Sequence, residues 1–145
     1  MDHNQININS LRVLNNIFIN GKKYNNISDV YKSGITNDLI SFKKINILLI
    51  GNTHGNENAG AQSLWLNKTR IYKLVDKNKF NIICIPFLIT ESFINNVRHT
   101  RIDGKKIKIN RNYGRINPYF WNQTVIRKKK FIEKIITNFF KIIVI

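Results

Sequence analysis

The sequence predicts an α/β domain built on a mixed, largely parallel sheet flanked by helices. Three observations carry that expectation. Two continuous apolar runs of strand length, residues 45–50 (INILLI) and 81–88 (NIICIPFL), are bounded by Gly51 and interrupted by Pro86. Between them lies an amphipathic stretch, residues 59–75, and strand, helix, strand with short links is the pattern of a right-handed crossover between parallel strands. A second amphipathic block, residues 124–140, leads into the β-branched run KIIVI, residues 141–145, repeating the arrangement.

At 145 residues the chain has the length of one domain, able to bury a single core. Residues 1–44 are polar, Asn-rich and poorly patterned, with short apolar pieces at 11–19 and 39–42 that read as edge strands of the same domain or a short helix. From Ile45 the signal sharpens. The run 45–50 is apolar apart from Asn46, as in a strand covered on both faces. In 59–75, Ala61, Leu64, Trp65, Ile71, Tyr72 and Val75 recur at three- and four-residue spacings, which predicts one helix. The run 81–88 is the second buried strand, and 90–117 reads as loop. In 124–140, Ile126, Phe131, Ile132, Ile135, Ile136, Phe139 and Phe140 form one broad apolar face, and 141–145 reads as a third interior strand.

Charge brings in a second class of function. Lys and Arg number 24 against 8 Asp and Glu, a formal charge of +16, which points to nucleic acid or an acidic membrane surface as a partner. The densest runs, Lys105-Lys106-Ile-Lys108 and Arg127-Lys-Lys-Lys130, lack the regular aromatic interleaving of a single-strand stacking platform. The second run also fits the polar face of helix 124–140, so a solvated helix face accounts for it. Cys84 is the one cysteine, which rules out an internal disulfide and suits a buried strand thiol. The start MDHNQININS has neither a basic leader nor an apolar core, and no apolar run reaches the ~18 residues of a membrane span. The expectation is a cytoplasmic or otherwise intracellular protein with no membrane partner.

The chemistry concentrates where the first confident strand ends. In open α/β sheets the ligand crevice lies beyond the carboxyl ends of the strands, and the loop GNTHGNEN, residues 51–58, occupies that place. Gly51 and Gly55 permit turns that a side chain would obstruct, and His54 and Glu57, on a loop entering a helix, are spaced to converge on one point. An imidazole and a carboxylate are a donor pair that zinc accepts. The same two residues also suit a plain turn histidine and a carboxylate at a helix start.

The longer string ILLIGNTHGNENAG, residues 47–60, resembles the first zinc-binding loop of the zinc carboxypeptidase family of the carboxypeptidase A type: strand, then His-Gly-x-Glu, then a small residue and Gly opening a helix. Downstream, INRNY, residues 109–113, is similar to that family's Asn-Arg-Asn-aromatic signature. The resemblance covers residues 45–145 and implies a partial zinc carboxypeptidase-like (phosphorylase/hydrolase-like) domain. It implies zinc as cofactor, His54 and Glu57 as two of its ligands, and Asn110 and Arg111 as the pair that holds the terminal carboxylate of a peptide or acyl-amino-acid substrate. For the arginine that stabilises the oxyanion, the ungapped count is preferred and points to Arg101, whereas aligning Asp103-Gly104 with the family's loop and treating Lys105-Lys106 as inserted points to Arg98.

The pattern departs from the family in several places. Lys108 stands where the family commonly has Asp, and residues 88–91 read Leu-Ile-Thr-Glu rather than an Asn-Pro-Asp-Gly-like turn. The family's third zinc ligand, a histidine, would follow the strand 141–145, and its catalytic glutamate lies further on. The resemblance therefore implies an incomplete zinc site, inactive in this chain alone. His3 and His99 are the other histidines, and His99 would serve as a ligand only in an arrangement foreign to the family. Two other functions remain open from the residues. One is the aspartoacylase and succinylglutamate desuccinylase branch, which shares both signatures and cleaves acyl amino acids; the other is a non-catalytic basic module that binds nucleic acid.

Overall fold

The computed structural model describes residues 13–41, 43–102, 105–107, 130–132 and 142–144. They form a mixed α/β fold around a five-stranded sheet. In chain order the elements are β1 (Ile17–Ile19), β2 (Lys22–Tyr24), α1 (Ile27–Ser33), α2 (Ile35–Leu39), β3 (Ile45–Ile50), α3 (Asn58–Asn67), a 3₁₀ turn (Ile71–Leu74), β4 (Phe80–Ile85), α4 (Thr90–Ile94), β5 (Thr100–Ile102), β6 (Lys105–Ile107) and β7 (Ile142–Val144). The sheet order is β2-β1-β4-β3-β7, and β5 and β6 form a separate hairpin.

Its centre is parallel. β3 and β4 pair in register from Ile45 opposite Phe80 to Ile50 opposite Ile85, and β7 joins β3 in parallel on the other side. β1 runs antiparallel to β4 and to β2, so the sheet is mixed with two antiparallel pairings at one side. The piece 11–19, read as an edge strand or a short helix, supplies β1, which lies inside the described sheet with β2 beyond it. The cause is local: Asn20 and Gly21 both take positive φ, 52° and 76°, the geometry of the tight two-residue hairpin that follows the right-handed strand twist. β7, read from sequence as interior, lies beyond β3 at the end of the described order.

Strand alternation sends side chains to two cores. Ile17, Ile19, Leu48, Ile83 and Ile85 join Ile27 and Val30 of α1, Leu39 of α2, and Phe131 and Ile132 of a helical turn at 130–132. Tyr31 and Phe131 meet edge to face at 6.2 Å. On the opposite face Phe18 meets Trp65 of α3 edge to face at 5.9 Å, and Trp65 packs beside Leu14, Ala61, Phe87 and Phe93. β4 is buried along almost its whole length, whereas β3 leaves Ile45, Ile47 and Ile50 half-buried.

The expected helix at 59–75 divides. α3 ends at Asn67, and the chain tightens into the 3₁₀ turn at Ile71. Asn67 Nδ2 donates to the Ser63 carbonyl at 2.8 Å and Lys68 Nζ to the Trp65 carbonyl at 2.8 Å. The Trp65 carbonyl, which the Thr69 amide would take in a continuing helix, is thus met by a side chain instead. The stretch read as loop from Thr90 contains α4 and the β5–β6 hairpin. The remainder of 124–140 lies outside the described residues. Among the described residues no helix is long and apolar enough to cross a membrane.

A chain of asparagines crosses the sheet near the amino ends of β3 and β4. Asn20 Nδ2 donates to Asn81 Oδ1 at 3.0 Å, Asn81 Nδ2 to Asn46 Oδ1 at 3.0 Å, and Asn46 Nδ2 to the Leu39 carbonyl at 2.8 Å. Asn20 Oδ1 in turn accepts from the Ile82 amide. Asn46 and Asn81 are buried, and such groups are tolerated inside a fold only when paired.

Candidate functional site

The loop 51–58 connects the carboxyl end of β3 to α3, and its shape is dictated by close contacts. A Cβ on Gly51 would collide with the Pro86 carbonyl and lie 2.8 Å from Ala61 Cα; one on Gly55 would collide with the Ser92 and Val97 carbonyls. Between them Asn52 takes φ 59°. Its Nδ2 lies 3.1 Å from the His54 carbonyl, 3.2 Å from those of Gly55 and Glu57, and 3.3 Å from Asn58 Oδ1. Two amide protons shared among these oxygens fold the loop around the Asn52 side chain. Sequence reasoning passed over Asn52; an asparagine just after a strand-ending glycine is the signal, because it tolerates the left-handed region and bonds its own downstream backbone.

This wrapping turns His54 towards Glu57. The Glu57 amide bonds the His54 carbonyl at 3.0 Å, and His54 Nδ1 lies 3.1 Å from Glu57 Oε2. The imidazole is almost enclosed, with its side chain 11% exposed, while the carboxylate is open at 61%. Arg98 Nη1 donates to the other oxygen, Oε1, at 2.9 Å. The backbone reinforces that link, since the Gly55 amide bonds the Arg98 carbonyl at 3.3 Å. The hydrogen bond from His54 is the main cause that holds the Glu57 carboxyl below the usual carboxylate range; desolvation opposes it, and the charge of His54 and the hydrogen bond and charge of Arg98 add to the lowering. His99 stacks edge to face on His54 with ring centroids 5.5 Å apart.

The pair fits zinc in part. Zinc bonds of ~2.0–2.1 Å at a tetrahedral angle separate two ligand atoms by about 3.3 Å, close to the 3.1 Å between Nδ1 and Oε2. An imidazole and a carboxylate are also suitable donors. Among the described residues, however, no group of three or more His, Cys, Asp or Glu is gathered to hold a metal. His54 Nε2 is buried with no hydrogen-bond partner among the described residues, whereas a metal-bound histidine ordinarily anchors its second nitrogen.

Other expected site residues are divided. Arg98 reaches the pair through its guanidinium. Arg101 sits in β5 opposite Lys106, and its side chain lies outside the described residues. Asn110, Arg111 and His3 also lie outside them. Comparison of the chain with protein families, with curated proteins and with solved structures gives no match.

Proposed function

We propose that this chain carries part of a zinc site of the metallocarboxypeptidase type, with His54 and Glu57 holding the metal and Asn110 and Arg111 holding the terminal carboxylate of a peptide or acyl-amino-acid substrate. The observation that carries the reading is the 3.1 Å approach of Nδ1 and Oε2 at the carboxyl end of a central parallel strand, where open α/β sheets place their ligands. When bound, zinc would polarise the scissile carbonyl and acidify a water. The chain's own residues would supply the rest. His54, enclosed between Asn52-folded backbone and His99, keeps one ligand direction fixed. Glu57, kept ionised by His54 and Arg98, presents a negative oxygen to the cation. The fork of Arg111 and the amide of Asn110 suit bidentate recognition of a carboxylate. For the cation that stabilises charge developing on the carbonyl oxygen, the contact of Arg98 with Glu57 favours Arg98 over Arg101.

The reading is tested by the binding of an N-acyl amino acid such as hippurate to the chain. Binding that strengthens when zinc is added, is lost in Arg111→Ala and loses its zinc dependence in His54→Ala is the expected result. Binding indifferent to zinc and to Arg111→Ala would overturn it.

A further inference from the structure

The opposite end of the sheet, the amino ends of β3 and β4, gathers positive charge by a different route. The tip of the β1–β2 hairpin reaches it, because the Asn20 amide bonds the Ile82 carbonyl at 2.9 Å. There Gly21 faces Thr69 and Tyr72, whose atoms would lie 3.6–3.7 Å from a Cβ. The segment from α3 to β4 ends at the same place, where the Lys79 carbonyl accepts from the Ile45 amide at 2.9 Å. Lys22 from the hairpin thus joins Lys68, Arg70, Lys73, Lys77 and Lys79 from the segment, in which Asp76 is the single acidic residue. Neither of the densest basic runs in the sequence contributes to this set.

None of these cations is in an ion pair among the described residues; the ion pairs of His54 and Arg98 with Glu57 lie beyond the carboxyl end of the strands. Lys68 Nζ, which also donates to the Trp65 carbonyl, sits 4.2 Å from the Trp65 ring centre and Lys77 Nζ 5.0 Å from that of Tyr72, so aromatic faces and a backbone carbonyl, not carboxylates, hold these amines. Asn67, Thr69 and Asn78 are interleaved with them. Lys and Arg with Thr, Asn and Tyr are the side chains that contact phosphate and sugar in nucleic-acid complexes.

From this we propose that the amino end of the sheet is a nucleic-acid surface that grips the phosphate backbone. A lipid surface suits these side chains less well. Leu66 and Leu74 are 78% and 79% exposed, but Ala61 and Trp65 of α3 pack into the core, which leaves no continuous apolar stripe for insertion between lipids. The surface acts independently of the His54 loop.

Anisotropy of a labelled oligonucleotide across a salt series tests the proposal, with the folded state of each variant checked by thermal melting. Binding should weaken steeply with salt. Arg70→Glu with Lys73→Glu should weaken it by about tenfold or more, and the neutral pair Arg70→Gln with Lys73→Gln should reduce the log–log salt slope by about two, near 0.9 for each phosphate that is no longer neutralised. Lys106→Glu with Lys130→Glu makes the same change of charge on exposed lysines of other elements, and should cost about threefold or less if the effect is local rather than a matter of net charge. Equal weakening by both charge reversals, or absence of salt-dependent binding, would overturn the proposal. So would tighter binding to anionic vesicles that is lost in Leu66→Ser with Leu74→Ser.

Discussion

At Gly55 a methyl group would run into the carbonyls of Ser92 and Val97, so the turn that brings His54 to Glu57 exists because this position has no side chain. Gly55→Ala is expected to destabilise the fold by ~1–3 kcal/mol through overpacking, read in denaturant unfolding. Gly60 provides the contrast: it lies in α3 with open space where a Cβ would stand, and Gly60→Ala should stabilise by roughly 0.5–1 kcal/mol. Equal effects at the two glycines would show that the loop's close packing is not what requires Gly55. Glu57 makes a second prediction. Its carboxyl is held below the ordinary range first by the hydrogen bond from His54 and less by Arg98. Because its folded-state value is the lower one, the stabilisation from this pairing is present above the unfolded carboxylate's pKa and is lost as pH falls through the depressed value. In an NMR titration of the Glu57 carboxyl, His54→Gln should raise the midpoint more than Arg98→Gln does. The reverse order would place the main interaction with Arg98. His54 and Glu57 were legible because their spacing and setting are local; the packing of Arg98 and His99 against them depends on α4, which the sequence presents as loop.

Among the elements, β3 was the most legible, since an apolar run closed by glycine has few other uses, and the same holds for β4 up to Pro86. The β1–β2 hairpin was hidden although Asn20-Gly21 is a strong turn signal; its strands are so short that flanking asparagines and lysines mask their alternation. The division after Asn67 was hidden too, because it turns on a side chain reaching the Trp65 carbonyl rather than on apolar spacing. The asparagine chain across β1, β4 and β3 is likewise a tertiary fact, as only the register of Asn46 with Asn81 aligns the amides. Asn81→Ala would leave Asn20 and Asn46 each short of a partner and should cost ~1–3 kcal/mol per orphaned group. It should appear as a lower denaturation midpoint with unchanged slope. An unaffected midpoint would mean that water replaces the amide. In β4, burial pushes the Cys84 thiol up to about 12, so Cys84 should resist alkylation in the folded protein and react only as it unfolds. Rapid modification under native conditions would show that β4 opens.

For the molecule as a whole, the sheet separates two kinds of surface. The carboxyl ends of β3 and β4 carry the His54–Glu57 pair with Arg98, and the amino ends carry cations that have no carboxylate partner among the described residues. Overall charge was evident from composition, but its location was not, because the hairpin and the 68–79 segment meet only through the sheet. The α/β class and a mixed sheet were legible from the sequence, whereas the antiparallel pairings of β1 with β2 and β4 depended on the hidden hairpin. The function proposed for this chain rests on the carboxyl end of β3 being a place for a metal. Calorimetric titration of zinc into the chain and into His54→Ala and Glu57→Gln decides that point. The expected result is one weakly held zinc per chain, as two ligands from the described residues imply against the three of a catalytic site, with the binding heat lost in both variants. Tight zinc binding that His54→Ala leaves unchanged would contradict it.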